Sequence, residues 1–215
     1  TAHHNLLTPT GREVLARHLS GGRIAFKVNR AADIRQTLAF AKRHGIRPII
    51  VGGAEAWVVA DELAQAKASV FVDPLVNLPG DFDQLGARLD NAALLHSRGV
   101  AVGFSQASDA SHQAGKIRQL AGNAVANGLP WEAALAGLTS VPAEAFGVAD
   151  RIGRIAVGQL ADLTLWSGDP LEVNAVADQI WMGGKAMPMR SRQTELRDRY
   201  LREAGALPRA YPAAN

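Results

Sequence analysis

The feature that most constrains the fold is a short apolar run followed by an amphipathic helix, repeated four times between residues 24 and 127. Apolar strands that alternate with such helices indicate parallel βαβ units with right-handed crossovers. The predicted strands are residues 24–28, 48–51, 69–72 and 99–104, and the predicted helices are residues 32–44, a segment through Trp57 and Leu63, and residues 82–98 and 113–127.

Four units are too few to close a (β/α)8 barrel, which needs eight. A half-barrel alone would leave two open sheet edges and one uncovered sheet face. We therefore expect an α/β fold that is the second half of a TIM barrel, about units 5–8, with the first four units absent from this chain. The start at Thr1, without Met, agrees with a fragment or a processed product. A self-standing α/β domain with a four-stranded parallel sheet is the alternative.

The pattern changes after Asn127. Two short helices are expected at residues 130–138 and 142–146, followed by a strand at 162–166, a hairpin around Gly183-Gly184 and a charged helix at 191–206. The predicted organisation is a linker with a short helix (1–20), the half-barrel (21–150), strands of a small β-sandwich (151–190) and a C-terminal helix and tail (191–215).

Composition excludes several classes of function. The chain has 215 residues, 47% hydrophobic and 20% charged, with a net charge of +3. A basic stripe with interleaved aromatic residues would predict nucleic-acid binding, and the sequence contains none. No apolar run approaches the ~20 residues of a membrane span, and the absence of cysteine excludes disulfides and thiolate metal sites. We expect a soluble protein, cytoplasmic or periplasmic.

Residues 120–169 carry the most specific pattern. Gly128-Leu129-Pro130 separates two helices, small apolar residues follow, and the run GRIAVGQLADLTLW at residues 153–166 ends as an alternating strand. This order resembles the C-terminal end of the amidohydrolase superfamily, which includes imidazolonepropionases. In that family, helices that close a (β/α)8 barrel lead into a strand of a small β-sandwich. The resemblance covers roughly residues 24–190.

The resemblance implies hydrolysis of a C–N bond, other than an internal peptide bond, by water that a divalent metal such as zinc activates. It also implies metal ligands at the carboxyl ends of the strands: His after the fifth and the sixth strand, Asp after the eighth, and two more His from the first. In this chain the fifth-strand position falls at Lys27 and Asn29, and the sixth at Gly53, so the usual binuclear site does not carry over.

Several residues at these strand ends are candidates for substrate binding. Lys27, beside Asn29, is either a cation that replaces the metal and binds an anionic group, or a half-buried side chain that extends its ammonium to the barrel mouth. Gly53 either permits close backbone approach to a ligand or forms a plain turn. Glu55 either contacts substrate or is favoured by the helix dipole alone. Asp73 is first a turn residue, although it lies at the correct end of its strand.

The loop after the fourth strand contains Ser105, Asp109 and His112. Ser105 is a candidate for substrate binding. Asp109 is the candidate catalytic residue and metal ligand, or else a helix cap. His112 follows Asp109 by three residues and is a candidate for metal or substrate binding. A catalytic zinc needs about three protein ligands, so the remaining histidines would have to come from the missing half.

Two functional hypotheses follow. The first is an amidohydrolase-family enzyme of which this chain is the C-terminal portion. The second is a catalytically deficient relative that binds a small ligand or serves as a partner subunit, which the missing histidines favour. The expected partners are the N-terminal half of the barrel and a small-molecule substrate, with neither nucleic acid nor membrane, and homo-oligomers are left open.

Overall fold

The computed structural model describes residues 8–20, 22–106 and 111–201. The chain forms two compact units, one of residues 1–160 with 168–175 and one of residues 161–167 with 176–215. Among the described residues, no helix has both the length and the apolar character needed to span a bilayer.

The first unit is built on a parallel sheet of four strands, which confirms the expected α/β class. Its order is β1-β2-β3-β4, so each strand pairs with the one that follows it in the chain. The predicted strands are observed to within two residues at each end. Their bounds are Arg23–Val28 (β1), Arg47–Gly52 (β2), Ser69–Val72 (β3) and Ala101–Phe104 (β4).

The helices of this unit lie where the sequence predicts them, with one larger difference. Residues 82–98, predicted as one helix, form a 3-10 turn at Phe82–Gln84 and a separate helix, α4. The Asp81 side chain accepts a hydrogen bond from the Asp83 N–H and thereby supports the turn. The α-helices are Pro9–Leu19 (α1), Ala31–His44 (α2), Ala60–Gln65 (α3), Asn91–Ser97 (α4), Ile117–Ala126 (α5), Trp131–Leu138 (α6) and Ser140–Phe146 (α7).

Two further 3-10 segments precede helices, at Ala56–Val59 before α3 and at Ser111–Lys116 before α5. The predicted helix at residues 113–127 is therefore α-helical only in its later part. Both segments follow the carboxyl end of a strand, where the chain must turn back along the sheet.

The two faces of the sheet are covered differently. On one face, alternate strand residues such as Ile50, Val70 and Val102 pack with Ile34 and Leu95 of the helices in the main core. On the other face, Ile49 and Phe71 form a small cluster with Ala145 of α7. The side chains of Ala25 and Lys27 on β1 are exposed. This second face is therefore covered only in part.

Arg118 of α5 attaches residues 168–175 to the first unit. Its guanidinium donates to the carbonyl oxygens of Pro170 at 3.0 Å and Ala175 at 2.9 Å, and also to that of Glu172. Leu171 and Ala175 are buried in the same segment. These contacts explain why the segment belongs to the first unit, although residues on both sides of it in the chain belong to the second.

The second unit contains an antiparallel sheet of the order β5-β6-β7. The predicted hairpin is confirmed: Gly183 and Gly184 have φ angles of 55° and 79°, as a two-residue type I′ turn requires. A capping box of Ser191 and Thr194 starts the last helix. The elements are Leu163–Trp166 (β5), Ala177–Met182 (β6), Lys185–Ala186 (β7) and Arg192–Tyr200 (α8).

Gly137 allows α6 to approach β4 closely. A Cβ atom at this position would lie 2.8 Å from the Val102 carbonyl oxygen. Helix propensity alone favours Ala over Gly by about 1 kcal/mol. We nevertheless expect Gly137→Ala to lower the free energy of unfolding by about 1–2 kcal/mol, because overpacking against backbone costs more. Denaturant unfolding measures this, and Gly115→Ala, which has open space around it, is the control. A more stable Gly137→Ala protein would contradict the close packing.

Candidate functional site

The carboxyl ends of all four parallel strands meet at one cavity of about 50 Å³. This agrees with the general rule that sites of such folds lie beyond the carboxyl ends of the strands. Seven of its eleven lining residues have polar side chains, with amide, hydroxyl, carboxylate and ammonium groups, although much of the lining surface is apolar. The residues are Lys27, Asn29, Val51, Gly52, Ala54, Asp73, Val76, Gln84, Asn91, Ser105 and Gln106.

Gly52 and Gly53 form the turn at the end of β2. Their φ angles are 97° and 62°, a region that other residues rarely adopt. A Cβ atom on Gly52 would lie 2.5 Å from the Asn29 Oδ1, so the missing side chain makes room for the Asn29 carboxamide. The Gly53 N–H donates to the Val28 carbonyl oxygen at 2.8 Å, which joins this turn to the end of β1.

Asn91 is a cavity residue that the sequence reasoning missed. It is 7% exposed, and its Nδ2 donates to the Gly53 carbonyl oxygen at 2.9 Å. Its Oδ1 is buried and has no hydrogen-bond partner among the described residues. The signal for Asn91 lay in the pair Asp90-Asn91 before an apolar run, a pattern that favours a helix start. The prediction of one helix over residues 82–98 hides this start, because it places Asn91 inside the helix.

Glu55 has a contact that neither interpretation of the sequence predicted. Its Oε2 accepts a hydrogen bond from the Ala31 N–H at 2.9 Å, at the beginning of α2. The residue before α2, Arg30, provides no side-chain cap. Glu55 therefore caps a neighbouring helix, and it does not line the cavity. A role of Glu55 in substrate binding stays a prediction.

A network of contacts precedes α4 and joins Trp57, Arg88 and Asp90. The Trp57 Nε1 donates to the Gly86 carbonyl oxygen at 2.9 Å, and the Arg88 guanidinium lies 4.8 Å from the centre of the Trp57 ring. Arg88 forms an ion pair with Asp90 at 2.7 Å. The hydrogen bond from Arg88 lowers the pKa of Asp90 below its usual value.

The ends of β3 and β4 contribute Asp73 and Ser105. The Ser105 hydroxyl donates to the Phe71 carbonyl oxygen at 3.0 Å, so its only proton is engaged and its lone pairs are left as acceptors. The Asp73 Oδ1 accepts from the Leu75 N–H at 3.0 Å, as in the predicted turn. Asp73 nevertheless also lines the cavity.

The structure brings some of the candidate residues together and leaves others undescribed. Lys27, Asn29 and Ser105 line the cavity, and Gly53 lies beside it in the turn described above. Asp109 lies outside the described residues. His112 lies in the 3-10 helix Ser111–Lys116, where only the course of the backbone is described. The roles of these residues stay predictions.

The described strand ends do not fit a metal ion by themselves. They supply one carboxylate, that of Asp73, and no imidazole, whereas a zinc site needs about three nitrogen, sulfur or carboxylate ligands. Within the described residues, no three His, Cys, Asp or Glu side chains form a group that could hold a metal. His18, His44 and His96 are exposed and lie on helices.

This protein has a parallel sheet with a cavity at the carboxyl ends of its strands. It therefore falls in the class of α/β proteins whose sites are built from the loops that follow the strands. The sequence profile of the amidohydrolase family matches residues 2–189. The chain therefore belongs to the amidohydrolase family, which confirms the resemblance on which the sequence analysis relied.

Individual relatives agree with this family. The amidohydrolase tasK of Hapsidospora irregularis is 46% identical over 59 residues, which are 27% of this chain and 6% of that protein. An amidohydrolase from Thermotoga maritima MSB8 has a similar structure, with a TM-score of 0.77 and 27% identity over 86% of this chain and 48% of that one. An adenosine deaminase from Xanthomonas campestris with bound zinc shares the fold, with a TM-score of 0.56 and 19% identity over 88% and 51% of the two chains. This chain therefore spans about half or less of these relatives.

The Glu55 cap generates a prediction about stability. Glu55→Ala should lower the free energy of unfolding by about 1 kcal/mol, the usual cost of removing a side-chain helix cap. Glu55→Gln should cost less, since its amide oxygen can still accept from the Ala31 N–H. Glu62→Ala is the control, because its exposed ion pair with Arg35 should contribute at most about 1 kcal/mol. Urea unfolding of the three variants measures their free energies of unfolding. Equal losses of this free energy for Glu55→Ala and Glu55→Gln would contradict the cap.

Proposed function

We propose that this chain is the C-terminal portion of a hydrolase that acts on C–N bonds other than internal peptide bonds, and that its sheet forms about units 5–8 of a (β/α)8 barrel. The observation that carries the proposal is the convergence of four parallel strand ends on one polar cavity. Family membership supports hydrolysis of C–N bonds at the level of the family.

The edge and inner face of β1 support the completion of a barrel by another segment. β1 pairs with β2 alone among the described strands, so its other side offers unpaired N–H and C=O groups. A groove of about 570 Å³ lies along it, lined by Ile24 and Ala25 together with Val14 and Leu15 of α1. Val14 and Leu15 are 49% and 41% exposed. An apolar groove beside an open strand is suited to a further strand–helix unit.

The proposed catalytic residue is Asp109, with His112 as its neighbour. Because the described strand ends do not fit a metal, a divalent ion would have to be bound by Asp109 and His112 together with histidines of the other half. The deaminase with bound zinc makes zinc the first ion to test. Lys27, Asn29 and Ser105 are proposed to bind substrate at the cavity.

A second candidate is a catalytically deficient relative that binds a small ligand or acts as a partner subunit. The observation that favours it is the strand-end chemistry: Lys27 and the turn of Gly52 and Gly53 occupy the positions where the family resemblance implies imidazoles. These groups are suited to binding by charge and hydrogen bonds.

Metal content and turnover together separate the two candidates. For the hydrolase, the complete protein should contain stoichiometric divalent metal and hydrolyse at least one member of a panel of cyclic amides, N-acyl amino acids and dipeptides. Asp109→Asn should lower kcat about 10²–10⁴-fold, the usual contribution of a general acid or base. Asp61→Asn, on an exposed ion pair with Arg98, is the control. Turnover unaffected by Asp109→Asn, in a protein free of metal, would reject this mechanism.

The barrel proposal predicts that Ala25 changes its surroundings in the complete protein. Ala25→Asp should barely affect the stability of the 215-residue chain, in which Ala25 is exposed. In the complete protein it should cost more than about 2 kcal/mol, because a charge would be buried against the other half of the barrel. Val58→Asp, 46% exposed on the helical side, should be mild in both. Equal effects of Ala25→Asp in the two proteins would contradict a closed barrel.

A further inference from the structure

Asn91 lines the strand-end cavity, and its Oδ1 is a buried polar atom whose hydrogen bonding is incomplete among the described residues. The Gly53 carbonyl oxygen can only accept a hydrogen bond, so the atom that faces it must be Nδ2. This contact determines the orientation of the carboxamide. Oδ1 is then a buried acceptor without a donor among the described residues. A buried acceptor without a partner destabilises a folded protein, so such an atom calls for an explanation.

The neighbouring groups indicate what kind of partner is missing. The Ser105 hydroxyl donates a hydrogen bond to the Phe71 carbonyl oxygen and adds acceptor lone pairs to the cavity lining. Lys27 is the cation among the lining residues, and its side chain is exposed. The cavity lining thus offers two acceptors to an N–H donor, the Oδ1 of Asn91 and the hydroxyl oxygen of Ser105. It also includes the ammonium of Lys27, which attracts an anionic group.

We propose that Asn91 is a ligand-recognition residue: its Oδ1 accepts a hydrogen bond from an N–H group of a small molecule whose anionic group binds Lys27. The ligand class is an amine or amide that also bears an acidic group. This inference rests on the proposed function only in taking the cavity as the substrate site. The cavity of about 50 Å³ accommodates the polar head of such a molecule, and the remainder would extend outwards.

The test uses three probes: glycine, which carries both groups, methylammonium, which carries only the ammonium, and acetate, which carries only the carboxylate. Saturation-transfer NMR measures the dissociation constant of each probe from the complete protein. Asn91→Leu should weaken binding of methylammonium and glycine at least about tenfold, the loss expected for a hydrogen bond from a charged donor. It should change acetate binding less than about twofold. Lys27→Met should weaken acetate and glycine and leave methylammonium unchanged.

Asn91→Asp separates ligand recognition from a purely structural role. This variant loses the donor to the Gly53 carbonyl oxygen but keeps an acceptor oxygen. If Oδ1 binds the ligand, Asn91→Asp retains methylammonium binding although its thermal stability falls as in Asn91→Leu. If Asn91 only holds the Gly53 turn, both variants lose binding equally, and the proposal is overturned.

Gln159 provides a matched control. Its Nε2 donates to the Ala149 carbonyl oxygen at 3.0 Å, and its Oε1 is also buried without a partner among the described residues, away from the cavity. Gln159→Leu should leave all three dissociation constants unchanged.

The inference would also be overturned by no measurable binding of any probe, by methylammonium binding that is indifferent to Asn91→Leu, or by an equal effect of Gln159→Leu. Turnover distinguishes its failure from that of the proposed function. Probe binding that depends on Asn91, in a protein that hydrolyses no member of the substrate panel, supports this inference and rejects the hydrolase. If the protein hydrolyses a substrate and Asn91→Leu does not change kcat/KM, this inference is rejected and the proposed hydrolase function is retained.

Discussion

The parallel hydrogen-bonded ladder from β1 to β4 is the constraint on which the rest of the structure depends. Its register aligns Val28 with Gly52 and Val72 with Phe104, so the carboxyl ends of the strands reach the same edge. Residues far apart in the chain, from Lys27 to Gln106, line one cavity for this reason. A shift of one residue in any pairing would turn its side chains to the opposite face and dismantle the cavity.

Within this ladder, the turn of Gly52 and Gly53 connects three elements. It receives the Asn29 carboxamide from the end of β1, hydrogen-bonds to Val28 and accepts a hydrogen bond from Asn91 of α4. Only glycine combines the positive φ angles with the space that Asn29 occupies. The glycines therefore allow polar side chains to approach closely, and they also allow the chain to turn. This explains how a turn without an ionisable group is central to the site.

The open side of β1 and the chemistry of the strand ends can be compared with the family. The family match and the half-length coverage of the Thermotoga amidohydrolase agree with a sheet whose β1 has an open side. The described strand ends likewise supply amides, a hydroxyl, a carboxylate and an ammonium, but no imidazole. Such groups favour recognition by charge and hydrogen bonds. Chemistry that needs a metal would require donors from outside the described residues.

Apolar periodicity and glycine punctuation are local signals, so the amino-acid order was enough to predict the four strands, most of the helices, the hairpin at Gly183-Gly184 and the family. It also placed Lys27, Asn29 and Ser105 at strand ends. Folding in three dimensions was needed to bring Glu55 to the start of α2 and Asn91 to the cavity. Both depend on contacts across more than twenty residues of chain, and a buried hydrogen bond between distant segments leaves no periodic trace in the sequence.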